Sequence, residues 1–188
     1  MAGARDPAGA PIRTLSSRLV YRNEWLALRE DRIERQDGSR GIYSVIDRPD
    51  YAVVMPIENG GFHLVDQFRY PIGGRYWEFP QGCFPNWAEG EPVDLGRSEL
   101  AEETGLRAAS MRHLGNLFAW QGASPQSFDV FVATGLTQGE PDREPSEQDM
   151  RHRWFSRPMF ERMIRDGRIR DNSTLAAYNL LLLDERER

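Results

Sequence analysis

The chain reads as an α/β protein of the α+β kind, a mixed β-sheet with helices packed against it. Three features of the sequence predict this. β-type runs fill the first half, one helix follows at mid-chain and two more close it, an order that suits helices laid on a sheet. YAVVMPIE and FHLVDQFRY flank Asn59-Gly60-Gly61, a strong hairpin signal. Finally, Pro92 to Thr104 carries Pro near the first turn and Gly105 just past the end, the punctuation of an α-helix.

The elements follow in order. Residues 1–15 are rich in Ala, Gly and Pro without periodicity and predict a flexible tail, leaving 16–188 as a single domain. Arg18 to Glu34 mixes β-branched, aromatic and charged residues and is read as an extended strand pair in preference to an amphipathic helix. Asp37-Gly38 marks a turn, and GIYSVIDR a strand. After the hairpin, RYWEF (Arg75 to Phe79) gives a short strand ended by Pro80, and Gln81 to Glu91 reads as a loop. Beyond the mid-chain helix come strands near 112–119 and 127–134, a polar loop from Gln138 to Gln148, and a last strand in RHRWF. Ser156 caps a helix running to Asp166 and stopped by Gly167, and Asn172 or Ser173 caps a final helix through Leu183.

Composition excludes several function classes. A chain of 188 residues can bury roughly two-thirds of its unfolded surface without staples. One cysteine rules out a disulfide framework and a Cys-rich zinc site, and fits a reducing cytoplasm. No run approaches the ~18 apolar residues of a membrane span, so no membrane partner is expected. The net charge of −5 argues against nucleic acid as a partner. All 24 basic residues are arginine, which fits a GC-rich coding bias.

Chemistry concentrates on the helix Pro92–Thr104. At about 100° per residue, Glu99, Glu102 and Glu103 share an arc of roughly 100°, while Val93, Leu100 and Thr104 point elsewhere. From spacing alone, this is either a solvated acidic face or a set of oxygen ligands for a hard cation.

The context of those acids carries a resemblance. Gly82 to Leu106, GCFPNWAEGEPVDLGRSELAEETGL, resembles the Nudix box: Gly, five residues, Glu, seven residues, then Arg-Glu-apolar-x-Glu-Glu-x-Gly-apolar. Glu99 to Leu106 matches the closing run at every specified position. Two departures stand out. Ser98 replaces the arginine, with Arg97 about 160° away on the wheel, and the Gly82–Glu99 spacing is two residues longer, so either Glu89 or Glu91 stands for the first glutamate. VDQFRYP, WEFPQG and the C-terminal MIRDGRIRDNSTLAAYNLLLL extend the resemblance to the ADP-ribose pyrophosphatase branch of Nudix hydrolases.

The resemblance implies an α/β/α sandwich around a mixed sheet, paired as a homodimer through N-terminal strands. It implies a small-molecule nucleotide substrate, most simply ADP-ribose cut to AMP and ribose 5-phosphate. Mg²⁺, with Mn²⁺ as substitute, would be bound by Glu99, Glu102, Glu103 and the backbone carbonyl of Gln81, and Glu102 and Glu103 count among the catalytic groups. Arg69 is either a diphosphate clamp or a surface arginine ending a strand. Glu78 either binds substrate or structures the loop. Glu147 is the general base, an extra metal ligand, or one member of an acidic run with Asp142, Glu144 and Asp149. Cys83 is expected to be a buried, unreactive thiol, and His63, His113 and His152 structural. Where this branch often has Pro-Gly, the chain has Pro125-Gln126. That leaves open another NDP-sugar, a dinucleotide or a modified nucleoside triphosphate as substrate, or a sensor that binds nucleotide without turnover.

Overall fold

The computed structural model describes residues 9–143 and 147–188, which form ten strands and three helices. They fall into two compact units. The first comprises the described residues up to Asp50 together with Pro85–Ala88 and Phe118–Ser127, and the second contains the rest.

The first unit is built on an antiparallel sheet, β1 (Ile12–Arg22), β2 (Ala27–Arg35) and β3 (Arg40–Asp47), in that order. The strand pair expected over Arg18 to Glu34 is present. β1 also takes in residues 12–15 of the segment expected as tail, because the paired β2 offers its backbone as far as Arg35. Residues 1–8 of that tail lie outside the described residues. Within this unit the Ile46 amide donates to the Ala123 carbonyl (2.8 Å), and the Tyr43 hydroxyl to that of Gly122 (3.0 Å). The loop that is two residues longer than the box pattern turns here on Asn86 (φ 54°) and Trp87 (φ 62°). Two successive non-glycine residues in the left-handed region are strained. The Arg22 guanidinium stacks on the Trp87 ring at 4.9 Å.

The second unit is a seven-stranded mixed sheet. Its path is β10 (Arg151–Ser156), β5 (Gly61–Arg69), β4 (Tyr51–Glu58), β9 (Ser127–Gln138) and β8 (Leu106–Phe118), with β6 (Gly74–Glu78) on β5 and β7 (Gln81–Cys83) on β4. β7 falls inside the expected Gln81–Glu91 loop. Its three residues pair with Tyr51–Val53, so the glycine segment is fixed to the sheet before the chain turns away. β4 and β5 pair only beside their hairpin, at Ile57–Phe62 and Glu58–Gly61, and then diverge to different neighbours. β4 runs parallel to β9, and β8 and β9 are longer than the sequence suggested.

Strand alternation assigns the helices to two faces. Ala52 and Val54 share one face and cluster with Leu95 and Leu100 of α1 (Pro92–Thr104). Ile57 and its partner Phe62 share the opposite face, where Phe62 meets Phe160 of α2 (Arg157–Arg165) at 4.8 Å and Tyr178 of α3 (Asn172–Glu187) at 5.7 Å. β4, covered on both sides, is accordingly a nearly continuous apolar run. The cap of α3 is Asp171, whose carboxylate accepts from the Thr174 amide (2.7 Å), and not Asn172 or Ser173. Among the described residues no helix is long and apolar enough to cross a membrane.

Candidate active site

The β5–β6 hairpin supplies one wall of the site. Its register pairs Val65 with Glu78, Gln67 with Tyr76 and Arg69 with Gly74, so Gln67, Arg69, Tyr76 and Glu78 share one face. Arg69 makes an ion pair with Glu78 through Nη2, and its Nε lies 3.4 Å from the other carboxylate oxygen. Glu78 is only 3% exposed. Burial pushes its carboxyl up to about 7, with Asp171 acting the same way and Arg69 pulling against both. For Arg69 burial opposes the charge, but Glu78, Glu103 and Asp171 outweigh it and hold the pKa above its ordinary value. The pair shapes the wall, and the Arg69 guanidinium lines the cleft beside it.

Helix α1 supplies the other wall. Gly105, in the left-handed conformation at φ 75°, ends the helix and donates to the Ala101 carbonyl. Leu100 packs into the core with Val54, Leu106 and Ala133, which fixes the rotation of the acidic arc. That arc is not a solvated face: Glu103 is 2% exposed, and Glu99 and Glu102 are half-buried. Burial pushes the Glu103 carboxyl well up; Glu99, Glu147 and Glu78 add to the effect and Arg69 opposes it. One of its oxygens, Oε2, is buried without a hydrogen-bond partner. Glu99 lies against the backbone of Gly82, where a Cβ would run into its carboxylate. Glu102 accepts from the hydroxyl of Ser98, the residue in place of the box arginine. Arg97 turns away, donating to the Ala108 carbonyl at 2.9 Å, as the helical wheel predicts.

Glu147 comes from the turn before β10, and the Gln67 amide donates toward its Oε1 at 3.5 Å. Glu144 lies outside the described residues. Gln81 sits in β7 with its side-chain amide donating to Asp171 (3.3 Å). Glu89 and Glu91 are both exposed, and Glu91 serves as the N-cap residue of α1. The fold therefore gathers Arg69, Glu78, Glu99, Glu103 and Glu147 into one interacting set.

Sequence reasoning missed several neighbours. A cleft of about 400 Å³ is lined by Arg69, Ile72, Tyr76, Glu78, Arg170 and the start of α3. Arg170 stacks over Tyr76 at 5.4 Å and donates to its hydroxyl at 3.3 Å. Gln67 could have been found, because a glutamine two residues before an arginine in an apolar strand must share its face. Nothing in the sequence marked Arg170. Cys83 is half-buried in β7. His63 and His152 contact each other at 3.0 Å, and His113 contacts Asp129 at 2.7 Å.

The donor set suits a hard divalent cation: carboxylate oxygens, one of them an orphan in a buried position, beside a glycine that leaves room for Glu99. Among the described residues no three acidic, imidazole or thiol side chains form a group that could hold an ion by themselves. Backbone oxygen, water and substrate phosphate would complete the coordination, as is usual for Mg²⁺.

Comparison with known proteins decides the family. A model of the NUDIX domain matches residues 48–177, and one of the nucleoside diphosphate sugar hydrolase N-terminal domain matches residues 12–46. The chain belongs to the Nudix hydrolase family. An ADP-ribose pyrophosphatase of Mycobacterium tuberculosis (strain ATCC 25618 / H37Rv) is 32% identical over 166 residues, 87% of this chain and 79% of its own. One of Bacillus subtilis (strain 168) is 25% identical over 138 residues, 73% and 74% of the two chains. The crystal structure of an ADP compounds hydrolase superposes with a TM-score of 0.80 at 19% identity, covering 94% of each chain, which shows the Nudix fold. A small nucleotide substrate fits this family, which generally employs divalent metal.

Proposed function

We propose that the chain is a Mg²⁺-dependent pyrophosphatase that hydrolyses ADP-ribose to AMP and ribose 5-phosphate. The observation that carries the reading is Glu103, a buried carboxyl with one unpartnered oxygen among Glu99, Glu147, Glu78 and Arg69. So many buried acids are stable as anions only beside a cation. The two bacterial relatives are ADP-ribose pyrophosphatases, and the substrate is taken from them.

Glu99, Glu102, Glu103 and the Gln81 carbonyl would hold Mg²⁺, with Mn²⁺ as a substitute. The bound cation supplies positive charge against the diphosphate oxygens and acidifies water. The remaining roles fall to this chain's own residues. Arg69, braced by Glu78, binds the diphosphate. Glu147, steadied by Gln67, takes a proton from water as its oxygen attacks phosphorus. The bond from that phosphorus to the bridging oxygen breaks, and the bridging oxygen leaves with the other phosphate. General-base help of this kind is worth about 10²–10⁴ in rate.

Gln126 favours a second reading, another NDP-sugar. Its side chain is buried and donates to the Pro49 carbonyl at 2.6 Å, an anchor that the glycine common in this branch lacks. A homodimer through the N-terminal sheet is supported by the exposed Leu19, Val20, Tyr21, Ile42 and Tyr43, and the single cysteine suits the cytoplasm.

The deciding experiment is Mg²⁺-dependent hydrolysis of a panel containing ADP-ribose, other NDP-sugars, dinucleotides and nucleoside triphosphates. AMP and ribose 5-phosphate from ADP-ribose, abolished by EDTA, is the expected result. Preference for another NDP-sugar selects the second reading, and metal and nucleotide binding with no turnover overturns both.

A further inference from the structure

The turn that carries Glu147 is held by two arginines outside the acidic cluster. Arg143 donates through Nε to the backbone carbonyl of Glu103 (3.0 Å) and through Nη1 to that of Met150 (2.6 Å). The Glu103 carbonyl lies in the last turn of α1, where carbonyls have no partner within the helix. The Gln148 side chain donates back to the Arg143 carbonyl (2.9 Å), and the Met150 amide donates to the Glu147 carbonyl (2.9 Å). From the other side Arg75 pairs with the Asp149 carboxylate and donates to its carbonyl (2.9 Å), while also engaging Asp66. A planar guanidinium can serve two carbonyls in fixed directions at once, whereas an ammonium behaves as a point donor.

We infer that Arg143 is a positioning residue, a strut tying the end of the metal-binding helix to the Glu147–Met150 turn and so setting Glu147 at a fixed distance from Glu103. The inference rests on the role given to Glu147 above. Arg143 touches no reacting atom in this scheme. Its effect on turnover passes through Glu147, and Arg75 secures the far end of the same turn.

The test is a double-mutant cycle on the full chain with saturating Mg²⁺ and varied ADP-ribose, comparing Arg143→Gln, Glu147→Gln and the pair. Arg143→Gln is expected to lower kcat about 30-fold with KM changed less than about 3-fold, and Arg143→Lys to restore only part of the loss. In the Glu147→Gln background, adding Arg143→Gln is expected to cost less than about 3-fold. If the two losses multiply, or if Arg143→Gln alone retains full kcat, the strut is overturned while the Glu147 assignment stands. Full activity in Glu147→Gln overturns that assignment, and the strut with it. Should the glutamine variant fail to fold, Arg143→Lys, which keeps the charge, is read through the same cycle.

Discussion

A methyl group on Gly82 would occupy the space now filled by the carboxylate of Glu99. The loop glycine and the first glutamate of the helix run are seventeen positions apart in the chain, and β7 and α1 press them together. The obstacle is the far end of a flexible side chain, so Gly82→Ala can be accommodated by moving Glu99. Such a variant should fold with a melting temperature within about 3 °C of the parent. On the proposal that Glu99 holds the cation, its kcat should nonetheless fall at least ~10-fold and its Mg²⁺ requirement rise. A Mg²⁺ titration of activity checks both; an unchanged profile would remove Glu99 from the cation site.

Glu103 is where stability and activity should part company. Burial raises its carboxyl pKa above the unfolded value, so its protonated form stabilises the metal-free fold below that value, and the contribution is lost as pH rises through the folded pKa. Glu103→Gln keeps the shape and removes the titration. In EDTA at neutral pH it should melt about 2–4 °C higher than the parent, roughly 1 kcal/mol. The same variant should lose at least ~100-fold in kcat with Mg²⁺ present. A lower melting temperature together with near-normal turnover would contradict both halves.

Arg170 should affect binding more than chemistry. It stands on Tyr76 in the cleft and, unlike Arg69, makes no ion pair among the described residues. Arg170→Ala should raise KM for ADP-ribose about 10-fold and leave kcat within about 3-fold, the mark of an interaction equal in ground and transition states. Steady-state kinetics over a wide substrate range tests it, and a fall in kcat at unchanged KM would assign Arg170 to the reacting centre.

A pH dependence of stability should come from the histidine pair on β5 and β10. Burial lowers His152 to about 4, with His63 and Arg143 adding like charge, and burial lowers His63 against the pull of Glu58. Both folded values lie below the unfolded ~6.5, so the unfolded chain binds more protons between them. Stability is therefore full above about pH 6.5 and is lost as pH falls toward 4. Allowing for solvent screening at the partly exposed His152, its share between pH 7.5 and 5.0 is about 1 kcal/mol. Urea unfolding at the two pH values should show this loss in the parent and a smaller one in His152→Gln.

Local patterns made most elements legible. The bounds of α1 are those expected from Pro92 and Gly105, because both punctuation marks act through their own backbone. β7 was not legible: three residues become a strand only because β4 presents an open edge. The α3 cap lies one or two positions before the expected Asn172 or Ser173, because Asp171, Asn172 and Ser173 are all good caps and only the aspartate's carboxylate reaches the Thr174 amide.

What the sequence determined by itself is the acidic helix. The spacing of Glu99, Glu102 and Glu103 on an α-helix is a property of covalent order and helical pitch, and no partner is needed to read it. The tertiary structure alone decided which of those acids is buried, that Gly82 lies against Glu99, and that Arg69, Glu78, Gln67 and Tyr76 line a common wall. It alone decided that Arg143 joins the helix end to the Glu147 turn. Those relationships depend on strand register and on which face each helix covers. Register and packing are set by contacts between residues far apart in the chain, so no local window of sequence contains them.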